Sequence, residues 1–218
     1  MQEPTVSING VSLKQSIEKK ESLLGIEIQC DLKWSSQAST LCSRLKTRLA
    51  ILEKLKYIMT NSSKKNIVQG MFNSVLCYCL PLFGGCSKYS LDNLQSLQNK
   101  AVRIVLNLPK RSNREKMFDE IGWLTVRQMV VYHTLLTVHS IRISKQPEYL
   151  SKLLLNENHN GNIIVSNVQL GLLRNSFAFR GAISWNKLPR MIRLEESKTK
   201  FKNDVRRWVQ EQISRFDD

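Results

Sequence analysis

SSQASTLCSRLKTRLAILEKLK, residues 35–56, is the stretch on which the fold turns. Leu41, Leu45, Leu49, Leu52 and Leu55 recur at spacings of four, four, three and three, the period of one face of an α-helix. Arg44, Lys46, Arg48, Lys54 and Lys56 lie off that stripe, so a single helix buries leucines and presents cations. Ser35 or Ser36 offers its N-cap.

The same period continues downstream. Asn61 or Ser62 opens a helix with the stripe Ile67/Val68, Met71/Phe72, Val75/Leu76 and Cys79/Leu80, closed by Pro81 and Gly84-Gly85. Another opens at Ser90, runs through Leu94, Leu97, Ala101 and Val105, and stops at Pro109. Arg114 to Ile121 is short. Thr125 caps a central helix from Val126 to about Ile143. Further helices are expected over 147–155, 176–188 and 197 to about 216, the last with Phe201, Val205, Trp208, Val209 and Ile213 inward.

Upstream the period is shorter. Val6 to Val11 alternates around an Asn9-Gly10 turn, and Leu23-Leu24-Gly25-Ile26-Glu27-Ile28 reads as a second extended run that closes at Asp31. Ile163-Ile164-Val165 is the β-branched run of the second half, inside a short β segment near 162–173. The fold class is mainly α, a helical bundle with a small N-terminal antiparallel β element.

The chain has 218 residues, 33 Lys plus Arg against 18 Asp plus Glu, and a net charge of +15. Such an excess points to a polyanionic partner, nucleic acid before an acidic membrane surface. The cations are blocked: seven against Glu53 over 41–65, six against Glu115 over 100–116, and ten against three acids over 174–207. Five cysteines imply no disulfide framework and a reducing compartment. The N-terminus lacks a signal-peptide pattern, and the apolar window 67–84 is too polar to span a bilayer. A soluble intracellular protein is expected, nuclear or cytoplasmic, with no membrane partner.

Catalytic patterns are incomplete. The acids are scattered rather than clustered for a divalent metal. Cys77, Cys79 and Cys86 lack a fourth zinc ligand, and His133 and His139 stand six apart rather than three or four. Neither a metal, a cofactor nor a catalytic residue is assigned. Arg206-Arg207-Trp208 sets a ring beside two charges, readable as a stacking platform or as a core tryptophan on a solvated face.

Four blocks then carry a family resemblance. They are Leu24 to Ile28 followed by Asp31-Leu32-Lys33-Trp34; Leu94 to Val105; Glu120 to Val126; and Arg174 to Phe177 with Arg180-Gly181, Ser184 to Pro189 and Phe201-Lys202. In this order, over roughly residues 5–210, they resemble the C-terminal part of reverse transcriptases of non-LTR retrotransposons, the jockey-like LINE elements. The resemblance implies that 1–34 is a terminal palm or primer-grip β element. By the same token 35–110 are thumb-like helices and 111–218 a C-terminal helical extension. It further implies that the thumb holds template and primer through their backbones while aspartates elsewhere bind magnesium. The family's Tyr-x-Asp-Asp motif is expected before residue 1, Gln29 stands where an acid is common, and no Cys-Cys-His-Cys knuckle follows.

The expected function is therefore that of a non-catalytic part of an RNA-directed DNA polymerase. It binds RNA or an RNA/DNA duplex through Arg44, Lys46, Arg48, Lys56, Lys100, Arg103, Lys110, Arg111, Arg114, Arg174 and Arg180. Two alternatives stay open. One is a protein-interaction or scaffold module retained by a host; the other is a segment of an active reverse transcriptase whose palm lies upstream.

Overall fold

A computed structural model describes residues 7–8, 11–12, 20–159, 161–165 and 171–212. The chain is mainly helical, with small antiparallel β pairs at its start. Ser7–Ile8 (β1) pairs with Val11–Ser12 (β2), and Lys20–Leu23 (β3) with Ile26–Gln29 (β4), as two separate two-stranded sheets. The run expected as one strand over 23–28 is thus a hairpin. Leu24 (φ 50°) and Gly25 (φ 78°) both adopt left-handed backbone, which turns the chain between Leu23 and Ile26.

Helix α1 spans Ser35–Leu55, with Leu41, Leu45, Leu49 and Leu52 buried as their spacing requires. Its N-cap position is Trp34, whose side chain caps nothing; Ser35 and Ser36 are already helical. The capping acceptor comes from the hairpin instead. Gln29 Oε1 takes the Ser36 N–H at 2.8 Å and the Ser35 hydroxyl at 3.0 Å, and Glu27 takes the hydroxyls of Ser36 and Thr40. Those hydroxyls, followed by Lys20 and Arg44, hold the Glu27 carboxyl below its ordinary range.

The next helical stretch is broken where continuity was expected. α2 (Asn61–Val68), capped by the Thr60 hydroxyl, passes into a π-helical turn over Gln69–Asn73 and then α3 (Ser74–Cys77). The cause lies in the stripe. Val68, Phe72 and Leu76 are four apart, while an α-helix returns to one face every ~3.6 residues. One wide turn takes up the surplus and keeps all three buried. Cys79 then turns left-handed (φ 52°), and Pro81 sits in the first turn of α4 (Leu80–Phe83) rather than closing the helix before it.

α5 covers Lys88–Leu106, opened by Ser87 rather than Ser90. It stops at a left-handed Asn107, where Leu108 N–H reaches Arg103 O at 3.0 Å, two residues before Pro109. α6 (Arg114–Ile121) and α7 (Val126–Ser144) match expectation, the second with a full Thr125/Gln128 capping box. α7 is central, packed on α4, α5, α8 (Glu148–Leu154), α10 (Phe177–Asn186) and α12 (Lys198–Glu211). Gly84 makes the α4 approach possible, since a Cβ there would lie 2.6 Å from Val130 Cγ1, and Gly85 lets the turn before α10 come close, since a Cβ there would lie 2.2 Å from Asn175 O.

Of the β segment expected near 162–173, the described residues hold one bridge, Ile163 with Glu157. Residues 166–170 lie outside the described ones, and Gly171–Arg174 is a helical turn, α9. The Asn186 side chain holds Ile163 by both of its backbone groups. It accepts the Ile163 N–H at 2.8 Å and donates to Ile163 O at 2.9 Å, occupying the groups a partner strand needs. A last turn, α11 (Arg190–Arg193), follows Pro189. Ile213, expected on the inner face of α12, lies outside the described residues. One apolar cluster runs from Leu41 of α1 to Val209 of α12. Among the described residues no helix is long and apolar enough to cross a membrane.

Candidate nucleic-acid interface

Where α1 and α5 lie together, their outward faces line a groove of about 860 Å³. Helical periodicity builds it. Lys46, Ala50 and Glu53 recur along α1 with Tyr57 just past its end, and Lys100 and Arg103 along α5 with Asn107 at its C-cap. Lys56 and Lys110 complete the lining, so five cations face one carboxylate, Glu53, which Lys56 holds at 2.9 Å. Arg103 is half-buried, and its Nε is a buried donor without a hydrogen-bond partner. Tyr57 is 84% exposed, with Lys56 Nζ 4.9 Å from its ring centroid. Sequence reasoning passed over this tyrosine. Its only signal was an aromatic directly after a basic helix end.

The structure thus brings Lys46, Lys56, Lys100, Arg103 and Lys110 together, and separates the other six candidates from them. Arg44 and Arg48 sit on the opposite edge of α1, two residues from Lys46 and hence about half a helical turn away. They line a smaller cleft of about 230 Å³ with Gln37, Ser74 and Tyr78. Arg111 is exposed in the turn after Pro109, and Arg114 is half-buried at the start of α6. Arg174 lies on α9 near Arg180, in a cleft of about 180 Å³ against α7.

Arg180 has a different role from the one expected. Its Nη2 donates to Pro81 O at 2.6 Å and its Nε to Asn175 O at 3.0 Å, fastening α10 to α4 and to the turn before it. Burial pulls its guanidinium down to about 10, against a smaller opposing pull from Cys86. Other arginines of the second half are bonded alike. Arg142 donates to Leu154 O at 2.6 Å, pairs with Glu157 and lies 4.8 Å from the Trp185 ring centroid. Arg193 reaches Gly161 O at 2.8 Å, and Arg206 reaches Gly122 O at 2.8 Å. Trp208, readable from the sequence as a stacking ring or as a core tryptophan, packs against the core.

The remaining chemistry-bearing side chains are structural where their contacts are seen. Burial pushes the Cys77 and Cys86 thiols up to about 11, which keeps them protonated and unreactive. His139 stacks on Phe201 at 3.9 Å and bonds Glu195 O at 2.8 Å. Among the described residues, no three His, Cys, Asp or Glu side chains converge on a possible metal position. The chain matches no family model, no curated protein and no solved structure.

Proposed function

We propose that this chain binds the sugar–phosphate backbone of RNA or an RNA/DNA duplex in the groove between α1 and α5, without reading bases and without catalysing polymerisation by itself. One observation carries the reading. Five cations and one acid line a groove between two packed helices. A phosphate strand supplies the complementary charge, and the counterions it releases make the binding favourable at low salt. Exposed Tyr57 adds a ring on which an unpaired base can stack.

The resemblance to the C-terminal part of non-LTR reverse transcriptases supports the same reading, because it likens the helices from Ser35 to a thumb that grips template and primer. On that likeness the carboxylates of polymerisation belong to a palm outside these residues, and magnesium is no partner of this chain.

Fluorescence anisotropy of a labelled RNA/DNA hairpin across salt tests the proposal. With three to five phosphates engaged, log K is expected to fall with log salt at a slope of about −2.7 to −4.5. A slope near zero, or no binding at low salt, removes it. Primer extension by the chain alone is expected to yield no product. Partners that survive nuclease treatment in a pull-down favour the scaffold alternative instead.

A further inference from the structure

On the edge of α1 away from the groove, the cleft of about 230 Å³ beside Arg44 and Arg48 has a chemistry of its own. The two arginines stand one helical turn apart, and no acid is among the described residues that line the cleft. Like charges at that spacing repel. Arg48 Nη1 finds only Arg44 O, at a long 3.4 Å. Among the described residues the Arg44 guanidinium donates no hydrogen bond and forms no ion pair. Glu27, whose carboxyl feels Arg44, is itself engaged by Lys20 at 3.8 Å and by the hydroxyls of Ser36 and Thr40.

A buried amide adds an independent observation. Gln37 lines the same cleft and is 5% exposed. Its Oε1 accepts the Glu27 N–H at 2.9 Å, whereas its Nε2 donates to nothing among the described residues. That nitrogen still reaches water, unlike the sealed Arg103 Nε. Unanswered donors, two of them guanidinium groups, thus border a space smaller than the roughly 300–1,000 Å³ of small-molecule pockets, with room for one side chain. Such donors suit a carboxylate, which accepts from several N–H groups at once.

The rim decides between a phosphate strand and a protein. Tyr78 also lines the cleft, and its hydroxyl donates to Leu24 O at 2.8 Å, which fastens the tip of the β3–β4 hairpin beside it. Leu24 is 83% exposed and Leu23 61%. Leu24 moreover has left-handed backbone (φ 50°), a conformation that asparagine or glycine adopts at less cost. A leucine there is unfavourable in backbone and in hydration, and a partner that covers it offsets the second. A sugar–phosphate backbone gains little from leucines, whereas an acidic segment with apolar neighbours uses both features. We infer that the hairpin tip and the Arg44/Arg48 cleft together form a docking site for an acidic–apolar segment of a partner protein. A carboxylate of the partner lies between Arg44 and Arg48 and accepts from Gln37 Nε2, while its apolar neighbours cover Leu23, Leu24 and the Tyr78 ring. None of these residues lines the α1–α5 groove, so the site stands whether or not the groove holds nucleic acid.

Anisotropy of a fluorescein-labelled peptide that alternates Asp with Leu and Phe, titrated with the whole chain, tests it. A Kd of about 100 μM or tighter is expected. The same peptide with Asn for Asp, and an all-Glu peptide of equal length, are each expected to bind about tenfold or more weakly. Arg44→Ala with Arg48→Ala is expected to weaken the peptide about tenfold or more. Leu24→Asn suits the left-handed turn; it is expected to keep or raise the melting temperature while weakening the peptide about threefold. Lys100→Ala with Arg103→Ala is expected to bind it like the wild type. The site is refuted if the acidic–apolar peptide does not bind at millimolar concentration, if the all-Glu peptide binds equally well, or if the Arg44/Arg48 variant or Leu24→Asn binds like the wild type. Loss of the peptide in the Lys100/Arg103 variant places it in the groove and refutes the site too. So does a loss of duplex affinity in the Arg44/Arg48 variant as large as its loss of peptide, because the cleft then takes phosphate.

Discussion

The α1–α5 groove and the second-half basic block carry similar residues to opposite ends. In the groove, four lysines and one arginine stand along the outer faces of two long helices and just beyond their C-terminal ends, and a single acid answers all five. In the second half, Arg142, Arg180, Arg193 and Arg206 each reach a backbone carbonyl elsewhere in the chain. A guanidinium is a planar fork with several donors, suited to bridging carbonyls that helix ends and turns leave unpaired; an ammonium is a compact, well-hydrated point charge. A net charge of +15 therefore overstates the electropositive surface open to a polyanion. The location of the cations matters more than their number.

The sharpest way to break this contrast is Arg180→Ala. It leaves Pro81 O and Asn175 O without their donor where Gly85 lets backbone approach within contact of Asn175. The expected loss is about 3 kcal/mol of stability, or roughly 6–12 °C in Tm, read by urea and thermal unfolding. Arg180→Lys keeps the charge but cannot span both carbonyls, so it is expected to recover little of the loss. Full recovery by lysine means that the charge matters and the fork does not.

The division between the two regions was only partly legible beforehand. Leucine spacing placed α1, and the stripes of α5 and α7 placed the core, because burial dictates those positions whatever the surroundings. The same spacing put Lys100 and Arg103 on an outer face, but no sequence rule says that Lys46 of α1 lies across from them and Arg44 does not. That follows from how two helices pack. Arg180 was beyond reach for a different reason: its partner carbonyl at Pro81 is 99 positions away in the chain. The Leu24-Gly25 turn was concealed by leucines on both sides, which read as one apolar run. The π-helical turn left a trace in the four-residue steps of its stripe, visible once the drift of an α-helix is counted.

Lys100→Ala with Arg103→Ala probes the other arm of the contrast. Duplex affinity at moderate salt is expected to fall about tenfold and the salt slope to become shallower by about 2, with stability changed by less than ~0.5 kcal/mol. Anisotropy and thermal unfolding on one preparation read both. Arg44→Ala with Arg48→Ala is expected to weaken binding less, about threefold, and equally for unrelated duplex sequences, because these side chains flank a separate cleft. A larger loss here than in the groove variant places the strand on the other edge of α1.

The smallest effect tests whether Arg44 is a free cation at all. Glu27 is held below its ordinary range mainly by the hydroxyls of Ser36 and Thr40, and then by Lys20 and Arg44. A carboxyl lowered in the folded state binds fewer protons than in the unfolded chain. Its contribution is whole above the unfolded value of 4.5 and fades as pH falls through the lower folded value. Ser36→Ala removes the largest cause and is expected to cost a few tenths of a kcal/mol to about 1 kcal/mol near neutrality, with a flatter loss on acidification. Arg44→Ala removes the last cause and is expected to shift the acid unfolding midpoint upward by less than Ser36→Ala does. Unfolding midpoints in urea between pH 3 and 6 compare the two. If Arg44→Ala moves the acid limb more than Ser36→Ala, then Arg44 is held by Glu27 as firmly as the second-half arginines are held by their carbonyls, and it belongs with them rather than with the groove.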